Sequence, residues 1–172
     1  VFSLPAENGA EPSRWGYIGV SGDSLIAGRD FVPFASSFQE TALGPMDTAA
    51  LTARERTRLK VFGGFDVTAS RALVVMDRHS GSVRWTFAAR YGFIHNAITA
   101  SDRVLYCLDK LPPALEKRLR RRGREAPSDY RMLALDLETG RILWERDRGI
   151  FGSWLSYSRD SDRILQATRP SR

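Results

Sequence analysis

Cysteine is all but missing from this chain of 172 residues: Cys107 stands alone, so no internal disulfide and no four-cysteine metal site can form within it. Its place in an apolar run reads as a small buried strand residue, and it names no compartment. Histidine is nearly as scarce, and from His79 and His95 no Ser-His-Asp or Cys-His constellation can be assembled. No apolar run reaches the length of a membrane span, and no targeting segment opens the chain. The first residue is Val1 and the last, Arg172, follows a half-finished repeat, which reads as a segment of a longer protein. A phosphate-binding loop is lacking too, because Gly63-Gly64 has neither further glycines nor a Lys-Ser/Thr pair beside it and reads as a hinge or strand entry. What is present is an ordinary globular composition, 42% hydrophobic and 27% charged, large enough to bury a core.

The dominant feature is a duplicated unit. Residues 132–144 read as a strand, a tight turn and a second strand, and residues 73–85 repeat the pattern, with Asp77, Gly81 and Trp85 recurring 59 residues later as Asp136, Gly140 and Trp144. An internal repeat outranks local signals when architecture is assigned. The Asp side chain can accept bonds from backbone N–H groups ahead of it, while Gly takes positive φ without penalty, so each copy predicts a chain reversal. In the returning strand Val83 and Trp85, like Ile142 and Trp144, share one face by the period of two, which predicts buried or inter-blade indoles.

Ala134-x-Asp136-x-x-Thr139-Gly140-x-x-x-Trp144 resembles the tryptophan-docking motif of the pyrroloquinoline-quinone-type β-propellers, a family that includes quinoprotein alcohol dehydrogenases and the propeller lipoprotein of the outer-membrane barrel-assembly machinery. The copy at 73–85 differs in having Val75 where the motif favours Ala and Ser80 where it favours Thr. The resemblance implies that the Trp packs against the neighbouring blade, that the small residue lies in the core, and that Asp and Thr fix the turn. It also implies a bacterial protein of the cell envelope or the extracellular space.

A second hairpin alternates with the first, at 15–28, 96–107 and 155–167, so the fold class is all-β: propeller blades of four antiparallel strands, A to D, numbering about two and a half. The expected units are a blade at 15–87 with an insertion at 31–70, a blade at 93–147 with a helical insertion at 111–129, and a half blade at 153–169. From hairpin Asp to docking Asp is 54 residues in the first blade (Asp23 to Asp77) and 34 in the second (Asp102 to Asp136); from docking Asp to the next hairpin Asp is 25 (Asp77 to Asp102) and 26 (Asp136 to Asp162). All the length variation therefore lies between strands B and C, and maps to loops on one face. Within the first insertion, residues 48–59 suggest a short helix.

The second insertion predicts a helix laid on the propeller rim by Leu115 and Leu119, preceded by Pro and stopped by Gly123 and Pro127. Its basic patch, Lys117, Arg118, Arg120, Arg121, Arg122 and Arg124, against Glu116 and Glu125, carries a net +4 of the chain's +6. Base-stacking aromatics and any recognised nucleic-acid module are missing from it, so a solvated face or contact with an anionic partner or lipid surface are its two readings. Arg90, His95 and Asn96, with Trp154 from the following blade, form the candidate ligand face on the insertion side, where the Asn-His pair is read as structural before catalytic.

The function expected from these features is a non-catalytic repeat platform whose insertion-bearing face binds a protein or other macromolecule, alongside the remaining blades of a parent chain. The alternative is part of a quinoprotein dehydrogenase oxidising an alcohol or sugar. Its pyrroloquinoline quinone and calcium would need Glu and Asn ligands, a catalytic Asp and, in many members, a vicinal cysteine pair, none of which can be matched. No cofactor, metal or catalytic residue is assigned.

Overall fold

The computed structural model describes residues 13–33, 53, 54, 57 and 65–168. Its strands are β1 (Trp15–Ser21), β2 (Ser24–Pro33), β3 (Phe65–Asp77), β4 (Val83–Ala100), β5 (Val104–Asp109), β6 (Arg131–Asp136), β7 (Ile142–Arg146), β8 (Trp154–Ser158) and β9 (Arg163–Ala167), with one helix, α1 (Pro113–Arg121), between β5 and β6. β1 to β7 form a single antiparallel sheet in chain order, and β8 pairs with β9. The strands flanking the insertion expected at 31–70 run into it: Phe31, Val32 and Pro33 pair with Ser70, Asp66 and Phe65, so both ends of that insertion are sheet. Of the helix expected over 48–59 only Ala53, Arg54 and Thr57 are described, all helical, with the Thr57 hydroxyl donating to the Ala53 carbonyl at 3.0 Å. Residues 1–12, and Gly63-Gly64, lie outside the described residues.

The last strand of the first blade and the first strand of the second are one continuous strand, β4, where two separate strands were expected. β4 pairs with β3 over Val83 to Ala88, breaks register, pairs with β3 again at Phe93 and Ile94, and pairs with β5 at Phe93 and from Ile98 to Ala100. The cause lies in Asp109, at the end of β5 and fully buried. Its carboxylate accepts the backbone N–H groups of Arg90 (2.7 Å), Tyr91 (2.9 Å) and Gly92 (3.1 Å), and the Arg131 guanidinium donates to it at 2.9 Å. Three amides in the break of the ladder are thus satisfied by one carboxylate, which meets the requirement that buried N–H groups be paired. Gly92 lets Val32 of β2 pack directly against β4 here, since a Cβ would lie 2.6 Å from a Val32 methyl.

The period of two sorts the core into layers. Leu73 and Val75, Leu105 and Cys107, and Leu133 and Leu135 join Ile26 and Phe93 between the two blades. Their alternates on the second blade, Tyr106, Leu108, Met132 and Ala134, pack with α1 and with Leu155 of β8. On the first blade the alternates Val74 and Met76 form a smaller layer with Ala27. Burial pushes the Cys107 thiol well above the usual range, so it is an inert packing residue there.

Helix α1 rests on Leu115 and Leu119, both buried. Pro113 starts it, where a missing N–H costs nothing. It ends in a Schellman arrangement: Gly123 at φ 65° donates to the Arg120 carbonyl and Arg124 to the Leu119 carbonyl, each at 3.0 Å.

Candidate functional site

The two repeated turns are built alike. In the first, Asp77 Oδ1 accepts the N–H groups of His79 (3.0 Å) and Ser80 (2.8 Å) and the Ser80 hydroxyl (2.9 Å), and Gly81 N–H closes the turn on the Asp77 carbonyl. In the second, Asp136 Oδ1 accepts Glu138 N–H (3.2 Å), Thr139 N–H (2.8 Å) and the Thr139 hydroxyl (2.8 Å), and Gly140 closes it. Gly81 and Gly140 have φ of 75° and 73°, the left-handed region that Gly alone enters cheaply. Hydrogen bonds from Ser80 hold the Asp77 carboxyl well below the usual carboxylate range, and those from Thr139 lower that of Asp136.

The indoles differ. Trp85 Nε1 donates to the Leu137 carbonyl of the second turn at 3.0 Å, and its ring lies so close over Gly140 that a Cβ there would sit 2.7 Å from Cδ2. Trp144 pairs across the sheet with Ala134, as Trp85 does with Val75, but it is 39% exposed and has the Tyr106 ring 6.0 Å away. Of the two surroundings expected for Trp144, buried or inter-blade, burial is not found: β7 is the outer strand of the sheet, and among the described residues no further Asp-Gly turn covers it.

The insertion side carries two adjoining clefts that share Asn96, Pro113 and Ser153. The larger, about 790 Å³, runs between α1 and the segment leading into β8, and Lys110, Glu116, Arg120, Tyr130, Phe151 and Trp154 line it. Lys110, buried, bonds the Gly152 carbonyl at 3.0 Å and Glu116 at 3.2 Å and lies over the Tyr130 ring, tying β5, α1 and the β8 approach together. Burial, and then the Glu116 carboxylate, push the Tyr130 hydroxyl far above its ordinary range. At the cleft mouth Phe151 and Trp154 are 51% and 49% exposed.

The smaller cleft, about 390 Å³, is lined by Asp66, Thr68, Ile94, His95, Asn96 and Ala114 among others. The structure brings together three residues that sequence spacing could not: Ser70 Oγ and His95 Nε2 are 2.9 Å apart, with Asp66 in electrostatic reach of the imidazole. They are not a nucleophilic triad. Ser70 is fully buried, and the hydrogen bond that orients the ring goes to the Val67 backbone. Burial lowers the His95 pKa, against smaller opposing effects of Asp66 and Val67, so the ring is held neutral. Tyr17 and Phe31 pack at 6.5 and 6.2 Å, and Gly16 leaves the room, since a Cβ there would be 2.6 Å from the imidazole.

Of the residues expected on the ligand face, His95 and Asn96 line the smaller cleft, and Asn96 and Trp154 the larger. Arg90 lines neither: it bonds the Asp129 carbonyl and carboxylate at 3.1 and 3.2 Å, and Tyr91, whose hydroxyl is pushed up to about 12 by burial and by Asp129, joins them. The basic patch is also divided. Lys117, Arg120, Arg121 and Arg124 are exposed and Arg122 partly so, but Arg118 is only 6% exposed. The reason is helical spacing, which puts Arg118 three residues after Leu115 and on its buried side. Arg120 is held near Glu116 at 3.7 Å.

No helix among the described residues is long and apolar enough to cross a membrane, and no group of three His, Cys, Asp or Glu side chains there could hold a metal ion. A family model described as outer membrane protein assembly factor BamB matches residues 32–166, spanning both repeated turns, α1, the smaller cleft and all of the larger cleft's lining but Thr168. A comparison with curated proteins gives no match.

Proposed function

Since the chain belongs to the pyrroloquinoline-quinone-like β-propeller repeat family of outer membrane protein assembly factor BamB, we propose that it is a non-catalytic platform and that its helix-bearing side docks another protein. The observation that carries this reading is the larger cleft, with Phe151 and Trp154 half exposed at its mouth and Arg120 on its wall. Aromatic and Arg side chains around a concavity are the composition of interface hot spots, whereas a lone exposed Trp is not. The description of the matching family, an outer membrane protein assembly factor, supports a role in protein assembly. A quinoprotein dehydrogenase draws no support from these residues: the one cysteine is buried inside the sheet, and the described acidic side chains do not gather into a calcium-binding set.

A photo-crosslinking residue at position 154 tests the reading in cells that make the protein. It is expected to yield a discrete adduct with one other protein, while the same residue at Arg141, in the turn after β6, yields none. Equal labelling from both positions, or none from position 154, contradicts a docking role for this face.

A further inference from the structure

The smaller cleft holds a carboxyl group that the described residues only half satisfy. Asp66 is 2% exposed and lines the cleft wall. Its Oδ1 is occupied, accepting the Thr68 N–H and hydroxyl. Its Oδ2 is buried with no hydrogen-bond partner. A carboxyl oxygen withdrawn from water and left without a donor is unfavourable unless something supplies one.

Among the described residues nothing charged fills that role. The neighbouring imidazole is neutral, and its Nε2 is engaged with Ser70. The amino end of α1, with Pro113 and Ala114, also lines the cleft. It carries only about half a positive charge, and Pro113 removes one of its donors. The rest of the wall, Thr68, Ile94, Asn96 and Ser153, is uncharged, so Asp66 sets the sign of the cleft. Asn96 and Ser153 add side-chain oxygens at the border with the larger cleft. A full carboxylate in a concavity bordered by further acceptors fits a compact cation with several N–H donors.

We propose that the smaller cleft receives a basic side chain, an arginine or lysine of the docked protein, whose head group donates to Asp66 Oδ2 and to the oxygens of Asn96 and Ser153. This rests on the docking reading of the same face and specifies it: the partner presents an apolar or aromatic patch to Phe151 and Trp154 and a cation beside it.

The test uses the whole chain and small probes: N-acetyl-argininamide and N-acetyl-lysinamide, with neutral N-acetyl-citrullinamide as the control. Binding is followed by NMR at the amides of Asn96, Ala114 and Ser153. Both cations are expected to give saturable shifts there, and citrullinamide none. Asp66→Asn keeps an oxygen for Thr68 and removes only the charge, and is expected to weaken cation binding at least tenfold. Ala114→Leu fills the cleft without touching Asp66 and is expected to do the same, which keeps the question decidable if Asp66→Asn unfolds. Citrullinamide binding as well as the cations, or cation shifts unaffected by both variants, or no saturable shift, would overturn the inference. Adducts at position 154 are read separately, so failure here leaves the docking reading standing.

Discussion

The turn at Asp77 and the turn at Asp136 are chemically almost identical, yet the tryptophans they launch end in different surroundings. Each aspartate collects two amides and a hydroxyl, and each glycine sits near φ 75°. Trp85 then finds the second turn waiting for it, with a carbonyl for its N–H and a bare Gly140 under its ring. Trp144 finds Tyr106 and solvent. The motif therefore encodes the turn locally, but burial of its indole is a property of the next turn along. In a stacked array each repeat buries its surface only against a neighbour, and stability resides in those interfaces.

If that reading is right, the two tryptophans are energetically unequal. Trp85→Ala removes a half-buried indole, a hydrogen bond and the contact between blades, and is expected to cost about 3 kcal/mol, at the low end for large-to-small changes. Trp144→Ala is expected to cost about 1 kcal/mol, as an ordinary partly exposed site. Urea denaturation of the two variants measures this. Equal losses would mean that the inter-blade contact of Trp85 adds nothing.

The acceptor side of the same contact can be probed from Gly140. An alanine there meets both the left-handed backbone penalty and the Trp85 ring, for an expected loss of about 2 kcal/mol. Gly123→Ala, at φ 65° with open space around its Cβ position, meets only the first and should lose about 1 kcal/mol. Should the two lose the same, the packing of Trp85 over Gly140 is looser than 2.7 Å implies.

What could be read in advance follows from the same division between local and distant causes. The turns were legible because Asp, Ser or Thr, and Gly act within five residues of one another. So was α1, through Leu115, Leu119 and Gly123. The merging of two strands into β4 was not, because Asp109 ends its strand with no local signature and its amide partners lie 17 to 19 residues earlier. The Asp66, Ser70 and His95 group was hidden for a like reason, its histidine being 25 residues from the serine. Arg118 was within reach: its position three residues after Leu115 places it on the buried side, a signal that counting charges along the helix passes over.

The smallest expected difference between the turns is in acid, and its sign can be worked out. Both aspartates have folded-state pKa values below the ordinary 3.8, through hydrogen bonds from Ser80 and Thr139 first. A depressed carboxylate contributes stability that is present above its unfolded pKa and lost as pH falls through the folded one. The losses therefore begin near pH 4 and continue below it. They differ because Arg84 reaches Asp77 Oδ2 at 3.1 Å, whereas Leu143 occupies the corresponding place beside Asp136. His95 acts earlier and separately: its pKa is lowered, so the unfolded chain takes up the proton first and stability declines as pH drops below about 6.5. The informative pair is Arg84→Leu and Leu143→Arg, compared by thermal melts between pH 7 and pH 2. Arg84→Leu is expected to move the acid loss at Asp77 to higher pH, and Leu143→Arg to move that at Asp136 to lower pH, with the region near pH 6 unchanged in both. Both side chains lie near the surface, so the shifts should shrink as salt is added. Melting curves that coincide with wild type across that range would show that the guanidinium contributes nothing to the first turn, and that the two turns differ only in what their tryptophans meet.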